Sequence, residues 1–238
     1  VHPQISQFRL MCSAAWTFHE SGYEFGFNRD EKWTRPHSAD PALETDHSVA
    51  GACARDAGAG GTWLFTNEFG VTLAVMNAYP GGKIPPPGKR SRGMIPLVAG
   101  DAETPEGIER RLMHLEWDNY APCHILLISP KGSLHYCWDG IDFRSIGVPP
   151  RHFFTTSSVK SKCVEFSRIS RFEELANSTI SEILRDTVAA DPASAIFLTR
   201  EDAGTVSLTS VKVDLSEIRF VVTRRDGESH EIIFPRRG

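Results

Sequence analysis

With 238 residues, 40% hydrophobic and 24% charged, the chain is long enough to bury a core as one large or two small globular domains. A formal charge of −4, with no Lys/Arg cluster interleaved with aromatics, excludes a general nucleic-acid footprint, and no apolar run reaches the roughly 20 residues that a bilayer span needs. The five cysteines follow no framework spacing, and the opening VHPQISQFRL lacks the apolar core of a secretory signal, so a reducing, cytoplasmic setting is expected.

From Met11, MCSAAWTF and YEFGFN read as two strands joined by His19-Glu20-Ser21-Gly22. Residues 35–59, rich in Ala, Asp, Pro and Gly, read as an active-site-type loop or a disordered flap. TWLFTN and VTLAVMN form a second hairpin around Glu68-Phe69-Gly70, and YPGGKIPPPGKRSRG is a Pro/Gly loop. A helix begins at Thr104-Pro105-Glu106, where a capping Thr and a first-turn Pro are both favoured, and carries Ile108, Leu112 and Leu115 on one face. CHILLIS and SLHYCWD follow as strands around Pro130-Lys131-Gly132, then a short strand near HFFTTSS. A second helical region spans about residues 160–189. There Ile180, Ile183, Leu184, Thr187 and Val188 repeat at helical spacing, and Thr179 and Glu182 have the spacing of a capping box. AIFLT, TVSLTSVKV, IRFVVTR and HEIIFP close the chain as strands.

Strands, then helices, then strands indicate an α+β layered protein rather than alternating βαβ units. ILLI and RFVV are apolar on both alternating faces and so require cover on both sides, which two inner sheets with outer helices supply.

The stretch FNRDEKW crowds polar side chains onto the mouth of an apolar strand. If Phe18 pairs Tyr23, the constant index sum of an antiparallel hairpin sets Cys12 opposite Arg29, with Asp30 one step along. Met11-Cys12 is also what a translation start leaves before a small second residue. The expected working chain therefore begins at Cys12, with residues 1–11 an extension or a mis-called start and residues 12–238 a single domain. A free α-amine, titrating near 7.7–8, would act as general base for the thiol on its own residue. Arg29 would lower the thiol pKa, and Asp30 would fix the direction of the amine. The plainer alternative is a small buried cysteine beside an ion pair at a strand end.

Met11-Cys12, Asn28-Arg29-Asp30-Glu31, Arg35-Pro36, Gly60-Gly61-Thr62-Trp63, Asn77 and Ser91-Arg92-Gly93 stand in the order found in the NRDE proteins, the relatives of transport and Golgi organisation protein 2. The chain resembles that family from Met11 to at least Gly93, and more loosely to its end. The resemblance implies the four-layer αββα sandwich of N-terminal-nucleophile hydrolases of the bile-salt hydrolase and penicillin V acylase type. It implies Cys12 as nucleophile, Asp30 as orienter of its amine beside Arg29, and Asn77 as oxyanion donor. Such a donor is typically worth about 2.7–4 kcal/mol. The hydrolases carry an Arg two residues before the Asn of the motif, where this chain has Gly26. Their second oxyanion Asn corresponds to FFTTSS, so Ser157 or Ser158 would offer a hydroxyl instead. The implied activity is that of a hydrolase or acyl transferase on a non-peptide amide, with no cofactor and a small-molecule partner. The family's links to haem trafficking and to lipid or acyl-CoA metabolism imply the alternative, a non-catalytic carrier of a hydrophobic ligand. Trp16, Trp33, Trp63 and Phe69, near the supposed pocket, suit either.

Other chemistries fit less well. Cys123, His124, His135 and Cys137 cluster in sequence, but a register pairing Ser129 with Ser133 puts Cys123, His135 and Cys137 with Ile125 and Leu127, and His124 on the opposite face, a poor tetrahedral set. GGKIPPPGKRS lacks P-loop spacing, and its prolines remove the amide donors that cradle phosphate. No G-x-S-x-G elbow occurs. His19, His37, His47 and His152 sit in or beside loops, which leaves a histidine base unsupported.

Overall fold

A computed structural model describes residues 11–46, 48–149, 151–158 and 161–238. The expected extension before Met11, together with His47, lies outside the described residues. In chain order the elements are β1 (Met11–His19), β2 (Gly22–Lys32), β3 (Pro41–Glu44), β4 (Gly51–Ala54), β5 (Leu64–Asn67), β6 (Thr72–Asn77), α1 (Ile95–Ala99), α2 (Pro105–Met113), β7 (Cys123–Ser129), β8 (Gly132–Trp138), β9 (Phe143–Gly147), β10 (Phe153–Ser157), α3 (Ser161–Glu174), α4 (Ile180–Leu184), β11 (Ala203–Val213), β12 (Glu217–Arg224) and β13 (Ser229–Pro235).

The strands form two antiparallel sheets, one ordered β10-β1-β2-β11-β12-β13 and the other running β3 to β9 in sequence order. Alternation along each strand divides the apolar side chains into separate clusters. One cluster unites the sheets: Ala14, Trp16, Phe25, Phe27 and Phe220 of the first meet Ala52, Leu64, Met76 and Leu126 of the second. On the second sheet, Leu73, Val75, Ile125, Leu127 and Tyr136 meet Ile95 and Ala99 of α1 and Ile108 and Leu112 of α2. On the first, Ala15, Phe153 and Leu208 meet Ile183 and Leu184 of α4, with Ile169 and Phe172 of α3 alongside. The fold is α+β, with helices on sheets and the largest cluster between the sheets.

Several elements follow directly from local chemistry. The β1–β2 hairpin has the expected register, with Phe18 opposite Tyr23 and Cys12 opposite Arg29. Thr104 caps α2 by accepting from the Gly107 amide, with Pro105 in the first turn. Thr179 and Glu182 form both bonds of a capping box at α4.

Other expectations need correction. Residues 35–59 are not a structureless flap: β3 and β4 lie within them, and Gly51-Ala52-Cys53-Ala54 is entirely buried. A Cβ on Gly51 would stand 2.4 Å from the Phe65 ring, so close packing there excludes the bulky residues by which strands are normally recognised. AIFLT forms no strand beyond a bridge from Thr199 to Gly204. The helical region is two helices and ends at Leu184, leaving Val188 60% exposed. RFVV in β12 alternates between buried and less buried residues instead of being covered on both faces. α1 and β9 are additional elements.

The β7–β8 hairpin is one residue tighter than expected. Ser129 pairs with Gly132 across a two-residue Pro130-Lys131 turn, so Leu126 lies opposite His135 and His124 opposite Cys137. The slip moves His135 and Cys137 to the face of His124, while Cys123 stays with Ile125 and Leu127 as expected. His124 and His135 come together, Nδ1 to Nε2 at 3.0 Å, against Phe154, whereas Cys123 turns to the helix-covered cluster. Among the described residues no helix is long and apolar enough to cross a membrane.

Candidate functional site

β1 and β2 bring Asn28, Arg29, Asp30 and Glu31 beside Cys12, and strand alternation gives successive residues different work. Asn28 points towards α4, where its amide donates to the Leu184 and Ile196 carbonyls at 2.7 and 3.1 Å. This anchors β2 to the segment that failed to become a strand. Arg29 points the other way. Its Nη2 donates to Asp56 at 2.5 Å and lies 3.5 Å from Glu31, while its guanidinium stacks over Trp63 with 4.7 Å to the ring centroid. Arg35 joins the same carboxylates, 2.9 Å from Asp56 and 3.5 Å from Glu31. Burial alone would raise Asp56, but hydrogen bonds from Arg35 and the charges of Arg29 and Arg35 hold it below the usual carboxylate range. Glu31 is pushed upward by burial, against the pull of the same arginines.

Asp30 faces the helices. Thr205 Oγ1 donates to its Oδ1 at 2.6 Å, and Arg168 Nη2 of α3 lies 3.6 Å from its Oδ2, which has no hydrogen-bond partner among the described residues. Arg168 is 0% exposed and also donates to Ser13 Oγ and Thr155 Oγ1 at 2.9 and 3.2 Å. Burial raises Asp30 to about 6, with Arg168 and the Thr205 hydroxyl pulling it down. The site therefore holds a carboxyl that titrates just below neutrality.

Cys12 is half-buried beside this pair. Burial and then the charge of Asp30 push its thiol up to about 12, and Arg29 has the smallest influence named. Arg29 lowers the thiol, as expected, but with the smallest effect: Asp56 and Glu31 neutralise the guanidinium, and dehydration of the sulfur dominates, so the net shift is upward.

Cys12, Arg29, Asp30 and Asn77 line one cavity of about 160 Å³, together with Trp63 and Arg92. The wall opposite β1 depends on two glycines. A Cβ on Gly61 would sit 2.5 Å from the Gly93 backbone, and the Thr62 amide donates to the Gly93 carbonyl at 2.8 Å. The GGTW and SRG segments are therefore two backbones in contact at the rim. Asn77 Nδ2 donates to the Tyr79 hydroxyl at 3.2 Å. Burial lifts the Tyr79 phenol to about 12, and both Cys12 and Ser158 are close enough to influence it.

Ser157 does not line the cavity. It shares the strand face of Thr155, which turns to Ser13 and Arg168, while Thr156 is the residue opposite Cys12. Trp16 is in the inter-sheet cluster, Trp33 lines a second cleft, and Phe69 borders a third hollow beside Arg236. Among the described residues no three His, Cys, Asp or Glu side chains gather as a metal set. Arg168, Tyr79, Asp56 and Thr205 escaped the sequence reading. A lone Arg on an amphipathic helix or a Thr on a strand carries no spacing signal, and only the pairing of β2 with β11 brings Thr205 opposite Asp30.

Residues 11–214 match the family model described as transport and Golgi organisation 2. The chain belongs to that family. The match takes in the whole site, from Cys12 through the Arg29–Asp56 clasp and Asn77 to Arg168 and Thr205. No curated protein matches the chain. Among solved structures, this family member is similar to the Caenorhabditis elegans N-acylethanolamine-hydrolyzing acid amidase ortholog, at 11% identity and a TM-score of 0.46, over 84% of this chain and 91% of the other.

Proposed function

We propose that this member of the transport and Golgi organisation 2 family is a cysteine hydrolase or acyl transferase acting on a non-peptide amide, with Cys12 as an N-terminal nucleophile. The observation that carries the reading is the convergence of Cys12, Asp30, Asn77 and Arg29 on one cavity. The distribution of apolar clusters supports the four-layer αββα arrangement that such an enzyme would have.

The chemistry follows from the charges. With residue 11 attached, a thiol at about 12 is a poor nucleophile. A chain starting at Cys12 carries an amine on the same residue, and its ammonium form offsets the Asp30 charge that raises the thiol. Asp30 Oδ2, ion-paired with Arg168 at 3.6 Å but without a hydrogen bond among the described residues, is an acceptor that such an ammonium could use. The amine takes the thiol proton, Sγ attacks the amide carbon, and the Asn77 amide donates to the developing oxyanion. The proton held by the amine passes to the leaving nitrogen as the C–N bond breaks. Water, or a second amine, then attacks the acyl-thioester and restores the thiol. A cavity of about 160 Å³ admits the reacting end of a substrate and not a whole drug-sized ligand, which usually needs 300–1,000 Å³. The five free cysteines suit a cytoplasmic setting.

The placement of Ser157 away from the cavity favours a second reading, a carrier of haem or of a lipid or acyl-CoA in which the pocket does not turn over. Incubation with an electrophilic amide probe separates the two. Single adduction lost in Cys12→Ala supports the enzyme. Haem absorbance that titrates identically in the parent and in Cys12→Ala, with no adduct, supports the carrier.

A further inference from the structure

Beyond the Cys12 cavity, and sharing Arg29, Glu31 and Arg35 with it as a common wall, lies a larger cleft of about 470 Å³. That volume falls within the usual range for an organic ligand. Trp33, 41% exposed at the end of β2, forms one side, and Arg225, just past β12, forms another.

Arg225 differs from its neighbours. Arg29 and Arg35 are neutralised by Asp56 and Glu31, and Arg224 by Asp40 and Glu228. Arg225 has no carboxylate partner among the described residues. Its Nη1 donates to the Leu198 and Thr205 carbonyls, each at 3.1 Å, and its Nη2 to Thr199 Oγ1 at 2.8 Å. The guanidinium also lies between two rings, 5.1 Å from the Trp33 centroid and 5.0 Å from that of Phe197. A guanidinium carries five N–H donors and keeps its charge at any working pH. Three donors are committed to neutral acceptors, and among the described residues the Nε–H and one Nη2–H of this charged group, already fixed in position, have no hydrogen-bond partner. A side chain immobilised in this way loses little further freedom when an oxyanion arrives, and two adjacent N–H groups match a carboxylate or phosphate edge.

We propose that this cleft is an anion subsite: it binds an organic oxyanion, carboxylate or phosphate, on Arg225, with the flat or apolar body of the ligand against the exposed Trp33 ring. The shared wall places this subsite next to Cys12, yet the assignment stands on the cleft alone and does not depend on Cys12 turning anything over.

The test titrates the full chain with 1-naphthylacetate, its neutral analogue 1-naphthylacetamide, and 1-naphthyl phosphate, following Trp fluorescence and calorimetry. The proposal expects either anion to bind at least tenfold more tightly than the amide. It also expects Arg225→Gln to remove that preference and Trp33→Leu to weaken all three ligands, while Cys12→Ser leaves binding unchanged. Tighter binding of the phosphate ester identifies a phosphorylated ligand as the natural class, and tighter binding of the carboxylate identifies an organic acid. If Arg225→Gln unfolds, Arg225→Lys supplies the reading, since it keeps the charge but loses the fork and should weaken the anions severalfold. Equal affinity for anion and amide, an anion preference that persists in Arg225→Gln, or, where that variant unfolds, anion affinity undiminished in Arg225→Lys, overturns the proposal.

Discussion

Asp30 and Arg168 carry the largest electrostatic stakes at the level of single residues. Both are buried, and removing one partner of such a pair leaves a charge without compensation, at a typical cost of 3–5 kcal/mol. Arg168→Met should therefore lower stability in urea by about that amount, and adding Asp30→Asn should restore much of the loss. Additive losses in the double variant would show that the two residues do not form a unit. Asp30 also has a defined pH signature. Its folded pKa, about 6, lies above the ordinary 3.8, so the folded chain holds a proton between those values that the unfolded chain has released. The contribution is fully present below about pH 3.8 and lost as pH rises through 6, a span of about 3 kcal/mol. Relative to the parent, Asp30→Asn should gain stability over that window, and a difference that stays flat from pH 4 to 7 would refute the shift.

Between elements, the two hairpins show how far a sequence constrains pairing. The Glu20-Ser21 turn could be located from its flanking residues, and an index sum then placed Cys12 opposite Arg29 without further information. Pro130-Lys131-Gly132 was read as a three-residue turn, and the tighter two-residue turn moved His135 and Cys137 to the face of His124. The result is a His124–His135 pair between the sheets. Burial pushes His124 down to about 3, with His135 adding to the effect, and burial pushes His135 to about 4. Here the sign is opposite to that of Asp30. The pair's contribution is complete above about pH 6.5 and is lost as pH falls towards those values, because the unfolded chain takes up protons that the folded chain refuses. Thermal midpoints should fall between pH 6.5 and 4.5 in the parent and fall less in a His124→Leu, His135→Leu variant. The glycine contact belongs to this scale as well. Gly61→Ala would drive a Cβ into the Gly93 backbone, with an expected cost of about 1–3 kcal/mol in urea unfolding and a shifted rim at the Cys12 cavity.

Across the whole molecule, the α+β class and the strand that presents NRDE were legible because apolar alternation and turn residues are local signals. Elements held by long-range contact were not. Gly51-Ala52-Cys53-Ala54 forms a strand with Phe65 packed against its small residues, and AIFLT is apolar where Ile196 packs against Ile183 and Leu184 of α4, its backbone carbonyl accepting from Asn28. The motif gave Cys12, Arg29, Asp30 and Asn77, and these share one cavity. It gave no hint of Arg168, which arrives from a helix more than a hundred residues later in the chain. The most direct test of the proposed chemistry is the intact mass of the protein purified from its native source, before and after exposure to an electrophilic amide probe. A chain that begins at Cys12 and gains one adduct, with the adduct lost in Cys12→Ala and slowed at least tenfold in Asp30→Asn, is the predicted result. A chain that retains residue 11 and stays unmodified would contradict it.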